Sequence, residues 1–291
     1  MVLLQTLLDS VLVGGLYGCV AVGLSLSFGV MRIFNWANGE ILMSATYLAV
    51  FLVNMFGLNP YLCILFVGPL MFLIGFVLQK TALNPLIMRD KEREPLSVLL
   101  FTAGIAYILK NLATFLFTTN PISAKTDITS TTWKIGDLII GRPKAIAFVI
   151  ALIVVIALEV FLNNTEIGRG LRCASQDREV AQLMGMNIKR LYCLAQAIGF
   201  TCIGVAACAM APMYPAHPGL GATFSFKSMI MVVLGGKGSI KGALVGGLIM
   251  GFVEKFVGVW FTDIHAQMML FAVFVAVLMV KPNGLLSKDR G

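Results

Sequence analysis

Side chains that carry charge or exchange hydrogen bonds are rare inside the apolar runs of this sequence, and those few bound its chemistry. Lys110 lies deep within one run, and Glu254 and Lys255 lie together in another; ionisable groups at membrane depth are functional candidates by default. Lys110 can instead extend its stem toward a polar interface. Glu254 and Lys255 are adjacent, so on a helix they do not face one another. Asp9 and Glu159 stand near run ends and read as interfacial. Between two runs, Asn35-Trp36-Ala37-Asn38-Gly39 places two neutral amides in a glycine-flanked break. Asn35 and Asn38 can serve a passing polar solute or satisfy the backbone that such a break exposes. A second glycine-rich break runs from Gly235 to Ser239, and Gly235, Gly236 and Ser239 are assigned with the asparagines to a solute pathway. Nothing here resembles catalysis: His217 and His265 are isolated, and no serine, histidine and acid, or cluster of carboxylates, converges. Six cysteines show no metal-ligand spacing, five of them lying in apolar runs as small fillers and Cys173 in a polar stretch. No enzyme activity, metal or cofactor is expected.

The elements that must position these residues are membrane spans. Of 291 residues, 58% are apolar and 12% charged, far below the roughly one-quarter charged composition of soluble domains. Mean hydropathy is +0.90. Apolar segments run from about Leu3 to Met31, Ile41 to Phe56, Tyr61 to Gln79, Leu96 to Thr118, Ala145 to Leu162, Leu191 to Ala211, Phe224 to Gly236, Ala243 to Trp260 and Ile264 to Val280. Most have the length that crosses a bilayer as a helix. The expected fold is therefore all-α, a single polytopic bundle over residues 1–291 with about 8–10 crossings, broken or re-entrant segments included. A formal charge of +8 would suggest nucleic acid in a soluble protein. Here the basic residues gather at Lys80 to Arg93, Arg169 to Arg190 and Lys281 to Arg290, the pattern of cytoplasmic loops, so no nucleic-acid partner is expected.

Parity tests that assignment, because an even number of crossings must separate loops on one side. Two runs lie between the first and second basic regions and four between the second and third, so Phe224 to Gly236 must cross although it is short. The expectation is a broken span completed by the unwound Gly235 to Ser239 stretch, which is tolerated where backbone faces protein or water. The amino terminus then lies outside, unless the first 56 residues hold an additional broken crossing, and the Thr119 to Lys144 loop with Lys125, Lys134, Arg142, Lys144, Asp127, Asp137 and Trp133 lies outside as well. Glycines four apart, Gly14 and Gly18, Gly242 and Gly246, Gly247 and Gly251, predict close helix packing.

The most informative polar stretch is Asn163 to Arg190. Thr165 is placed to cap a short helix; Asp177, Arg178 and Glu179 precede apolar Val180, Leu183 and Met184, and Gly185 supplies a stop. The expected element is an amphipathic helix lying on the surface, either solvated or docked on a cytoplasmic partner.

The run GRGLRCASQDREVAQLMGMN resembles the cytoplasmic coupling segment of permeases of the branched-chain amino-acid ABC importer family, with Gly168, Arg169, Leu171, Arg172, Asp177, Arg178, Glu179, Ala181, Leu183 and Gly185 in matching positions. GLYGCVAVGLSLSFGVMRIFNWANGE, VVLGGKGSIKGALVGG and the terminal KPNGLL are similar to further elements of that family, in the same order. One departure is Asn38, which stands where the family usually has histidine. The resemblance implies an inner-membrane permease that works with two ATP-binding subunits, a second permease subunit, identical or paralogous, and an external solute-binding protein, all in a lipid bilayer. It assigns 163–190 to coupling, with Gly168, Arg169, Arg172, Asp177, Arg178, Glu179 and Gly185 at the ATPase. Its cargo would be branched-chain or other small amino acids. The alternatives are a stand-alone secondary transporter or channel for small polar solutes such as urea or short amides, and an intramembrane enzyme, for which no catalytic residues are visible. Gly235 to Ser239 lacks the phosphate-cradling spacing of a nucleotide loop, so the energy source must be another chain.

Overall fold

The computed structural model describes residues 2–89, 94–126, 131–135, 138–236, 238–281 and 284–286. Asp127, Asp137, Lys237 and parts of the first and third basic regions and of the KPNGLL motif lie outside the described residues. Among the described residues, seven helices are long and apolar enough to cross a membrane, and two shorter apolar helices, Leu220–Gly235 and Ile264–Val280, accompany them. In chain order the elements are α1 (Val2–Met31), α2 (Asn38–Phe56), α3 (Ile64–Leu78), a π-helical turn (Gln79–Leu83), α4 (Asn84–Arg89), α5 (Glu94–Phe117), β1 (Thr132–Ile135), β2 (Leu138–Gly141), α6 (Arg142–Asn164), α7 (Glu166–Gln176), α8 (Arg178–Leu183), α9 (Ile188–Met210), α10 (Leu220–Gly235), α11 (Ile240–Trp260) and α12 (Asp263–Val280). β1 and β2 form an antiparallel hairpin within the loop between α5 and α6.

Polar contacts identify which helix ends lie together. Gln5 exchanges hydrogen bonds with the backbone of Ile139 in β2, and Lys144 pairs with Asp9 at 2.9 Å. Asn54 near the end of α2 bonds the backbone of Ser123 and Lys125, and Ile122 bridges Ala216 beyond α9. The starts of α1 and α6 and the ends of α2, α5 and α9 therefore share one end of the bundle, the hairpin end. At the opposite end, Arg32 just past α1 reaches the carbonyls of Ser175 and Gln176 in α7, and Lys241 at the start of α11 pairs with Glu159 near the end of α6 at 2.9 Å. The chain alternates between these two ends, as the parity of basic regions requires.

α1 and α9 form the centre: 83% of the apolar window in each is buried, against 22% in α5 and 28% in α6. They run in opposite directions and cross at glycine, where a Cβ on Gly23 would stand 2.6 Å from the Gly199 carbonyl oxygen and the reverse holds equally. α11 lies along α1 and α3 along α9. Gly251 packs on the Gly14 backbone in the α1–α11 seam, Gly247 packs on that of Gly18, and Gly242 and Gly246 seat α10. Lipid tails are as apolar as leucine, so helices in a bilayer associate by close packing, and small residues allow it. A pattern emerges: a long central helix, a break, a second helix, and a third that packs on the other half's central helix. It occurs as α1–α2–α3 and, in the opposite direction, as α9–α10–α11.

Two sequence expectations are corrected. The short crossing is not completed by Gly235 to Ser239 but at its other end. α10 starts at Leu220, just after Pro218, with the ring Nδ1 of His217 accepting from Gly219 N–H. Its 16 residues span about 24 Å. Gly236 (φ 107°) and Gly238 (φ 80°) then make a tight turn into α11, left-handed conformations that glycine adopts without a side-chain clash. The surface helix of 163–190 is also two helices rather than one, because Asp177 is extended (φ −150°) and spends its carboxylate capping the second.

Candidate functional site

The segment between α6 and α9 is built by side chains that satisfy free helix-end groups. Thr165 Oγ1 accepts from Gly168 N–H at 3.0 Å and opens α7. Gly168 is buried where α7 folds back on α6; a Cβ would lie 2.5 Å from Leu162 Cα. Arg172 donates to Asn163 Oδ1 at 2.7 Å and holds the end of α6. Asp177 Oδ1 accepts from the N–H groups of Glu179 and Val180 at 2.8 and 3.1 Å. Gly185, at φ 78°, ends α8: its N–H bonds Gln182 O and that of Met186 bonds Ala181 O, the paired closure of a left-handed helix stop. Gly168, Arg172, Asp177 and Gly185 thus shape the segment. Arg178 is half-buried, Arg169 and Glu179 are exposed, and beside them Val180, Leu183 and Met184 are 49%, 86% and 72% exposed.

Arg32 is the residue that sequence reading missed here. Its guanidinium donates to Gln176 O at 2.8 Å and Ser175 O at 3.2 Å, where a cation suits the negative end of the α7 dipole. Its backbone adopts φ 58°, uncommon for a residue with a side chain. A cleft of about 370 Å³ lies beside it, lined by Ile33, Gln176, Asp177, Glu179 and Tyr192 among others. Arg32 opens the break that leads to Asn35 and Asn38, so α7 and the break are joined by one side chain.

In the break, Asn35 turns on itself: its Oδ1 accepts from Ala37 N–H at 2.9 Å. That is the backbone-satisfying role. Ser225 of α10 bonds Trp36 O and Gly39 N–H at 3.3 and 3.2 Å, and Trp36 N–H bonds Thr102 Oγ1 of α5. Gly39 lies directly against the Gly221 carbonyl, and Gly221 against the carboxylate of Glu40; a Cβ at either glycine would collide. Asn35 Nδ2, both amide atoms of Asn38 and Glu40 Oε2 are buried without a hydrogen bond. Gly235, Gly236 and Ser239 are not part of this group. Gly235 packs on Gly242, Gly236 on Gly284, and Ser239 Oγ caps Gly242 N–H, ten or more residues along α10 from Ser225.

The intramembrane charges separate. Lys110 is exposed on α5, and Lys255 is half-buried. Glu254 finds its partner on another helix: Lys227 Nζ of α10 lies 2.6 Å from its Oε2, and the Tyr17 hydroxyl of α1 donates to its Oε1 at 3.0 Å. Lys227 also lies 5.0 Å from the Tyr17 ring centroid and 5.6 Å from that of Phe224. The signal for Lys227 was present as a lone lysine inside the Phe224 to Gly236 run, but only the fold shows which acid it meets.

The geometry is that of a bundle with broken helices and, at one end, a charged segment with exposed apolar side chains. The chain matches the family described as branched-chain amino acid transport system / permease component over residues 6–278. It belongs to that family. It is 28% identical to the high-affinity branched-chain amino acid transport system permease protein BraD of Pseudomonas aeruginosa, over 99% of this chain and 96% of the relative. It is 26% identical to the corresponding protein LivH of Escherichia coli K12, over the same shares of each. A shorter stretch, 63% of this chain and 60% of the relative, is 25% identical to the ribose import permease protein RbsC of Escherichia coli K12. No solved structure matches. The chain is thus a multi-pass permease component of a membrane transport system.

Proposed function

We propose that this chain is the inner-membrane subunit of an ATP-driven importer for branched-chain or other small amino acids, with α7–α8 as its cytoplasmic grip on a separate ATPase. The observation that carries the reading is the union of an outward apolar face on α8 with the Arg32 tie from α7 to the break. Val180, Leu183 and Met184 lie on a segment rich in charge at the end opposite the hairpin, where burial against a protein partner would remove apolar surface from water at about 25 cal/mol per Å². Force applied there reaches Arg32, the break and the start of α2. Arg169 and Glu179 supply the charged rim, while Arg172 contributes by shaping the segment.

The partners of this reading are two ATP-binding subunits, a second permease subunit and an external solute-binding protein. The cargo is inferred from relatives whose names specify branched-chain amino acid transport. The test is reconstitution of the tagged chain with candidate ATPase and binding-protein subunits, scored by co-purification and by uptake of labelled leucine, isoleucine and valine into proteoliposomes. ATP-dependent uptake is expected, and the double substitution L183D/M184D is expected to weaken ATPase recovery roughly 10-fold or more, as loss of central apolar contacts does at interfaces. Undiminished recovery in that variant would remove α8 from the contact.

A further inference from the structure

The two halves of the bundle meet at the first turns of α2 and α10, where buried polar atoms are left without partners in the chain. α2 begins at Asn38 and runs to the hairpin end; α10 begins at Leu220 and runs to the other end. Their amino-terminal turns overlap side by side, Gly39 on Gly221, with Ser225 bonded to the break. Each such terminus carries a partial positive charge, although Gly39 N–H already bonds Ser225 Oγ and Leu220 N–H bonds His217 O. Glu40 and Asn38 are each only 4% exposed, and the Glu40 carboxylate is aimed at Gly221, the second residue of α10. Yet Glu40 Oε2 and both polar atoms of the Asn38 amide make no hydrogen bond within the chain. Buried polar atoms left unpaired are costly, so several together at one spot mark a place built for something that pairs with them.

We propose that this spot is a midplane station for the polar end of an amino acid in transit, in which Glu40 takes the ammonium, and the Asn38 amide, helped by the partial positive charge at the starts of α2 and α10, takes the carboxylate. The proposal rests on the transport reading above and names the residues that would select a zwitterion. The chemistry is specific to that class. A carboxylate offers acceptors only and suits three N–H donors of an ammonium, whereas helix termini and an amide N–H suit an oxyanion. A neutral sugar or urea has no use for the charge at Glu40. The station lies next to Trp36, whose ring packs edge-on against Phe226 at 5.5 Å, an apolar surface for a branched side chain. Because Asn38 follows the break that Arg32 ties to α7, movement of that segment would open and close the station.

The assembled transporter in proteoliposomes, with saturating binding protein, tests this. Loss of a charge-assisted hydrogen bond predicts that E40Q lowers maximal L-leucine uptake by ~10-fold or more and that E40D restores most of it. In a C173S background, the thiol of N38C is expected to react with 2-aminoethyl methanethiosulfonate and to be shielded by millimolar L-leucine but not by urea. Wild-type uptake with an undiminished E40Q rate overturns the station alone, as does labelling of N38C that leucine leaves unchanged. Absence of uptake by the wild type, with every amino acid tried, overturns the transport reading and the station with it.

Discussion

At the scale of single residues, the Lys227–Glu254 pair shows how a charge is kept among apolar helices. Each side chain is mostly buried, 16% and 21% exposed, and Tyr17 closes the group from α1. Taking two charges out of water is costly, and their attraction offsets that cost only while both are present. Removing one partner therefore costs more than removing both, on the order of 3–5 kcal/mol for the single change. E254Q is expected to lower the thermal midpoint of the purified protein well below that of K227M/E254M. Equal midpoints would mean that the pair lies in water rather than in the bundle. The pair also explains why Glu254 and Lys255 are not partners: a helix sends adjacent side chains apart, and the acid points to α10 and α1 while Lys255 does not share that contact.

At the scale of elements, α7 and α8 are seated by a short buried face, Leu171, Ala174 and Ala181, and held in place by caps and side-chain ties. Arg32 is the link to the break, and R32A is expected to leave folding and ATPase binding intact while reducing uptake per ATP hydrolysed. Measuring both rates on one preparation checks this, and a preserved ratio would show that the link carries no motion. Gly168 has a different duty. The close approach of α7 to Leu162 leaves no room for a side chain, and overpacking of this kind costs about 1–3 kcal/mol. G168L is expected to displace α7 and lose the ATPase with it, seen as reduced co-purification at unchanged chain yield.

At the scale of the molecule, sidedness and the antiparallel halves make one testable architecture. With the native half-buried thiol removed by C173S, Q182C on α8 and K125C beside the hairpin are both exposed positions at opposite ends. A membrane-impermeant maleimide applied to intact cells is expected to label K125C and to reach Q182C only after permeabilisation. The reverse order would invert every crossing and detach the ATPase reading. The crossing of α1 and α9 is the pivot of the halves. G199V should therefore collapse the yield of monodisperse protein, whereas substitution at Gly104, which has open space beside it, should be tolerated.

Much of this was legible in the sequence. Apolar length and the grouping of basic residues determine a multi-pass helical bundle and the parity of its crossings, because lipid accepts no unpaired backbone and positive charge stays on one side. Thr165 and Gly185 announced their capping roles, since those groups act on backbone only two or three residues away, whereas the cap at Asp177, which splits the segment into two helices, was not anticipated. The tertiary structure decided what depends on distant partners. It alone brought Lys227 to Glu254, Arg32 to the end of α7, and Glu40 with Asn38 to the start of α10. Periodicity and composition describe a residue's own helix, while these meetings arise from two halves running in opposite directions across the bundle, which no local pattern encodes.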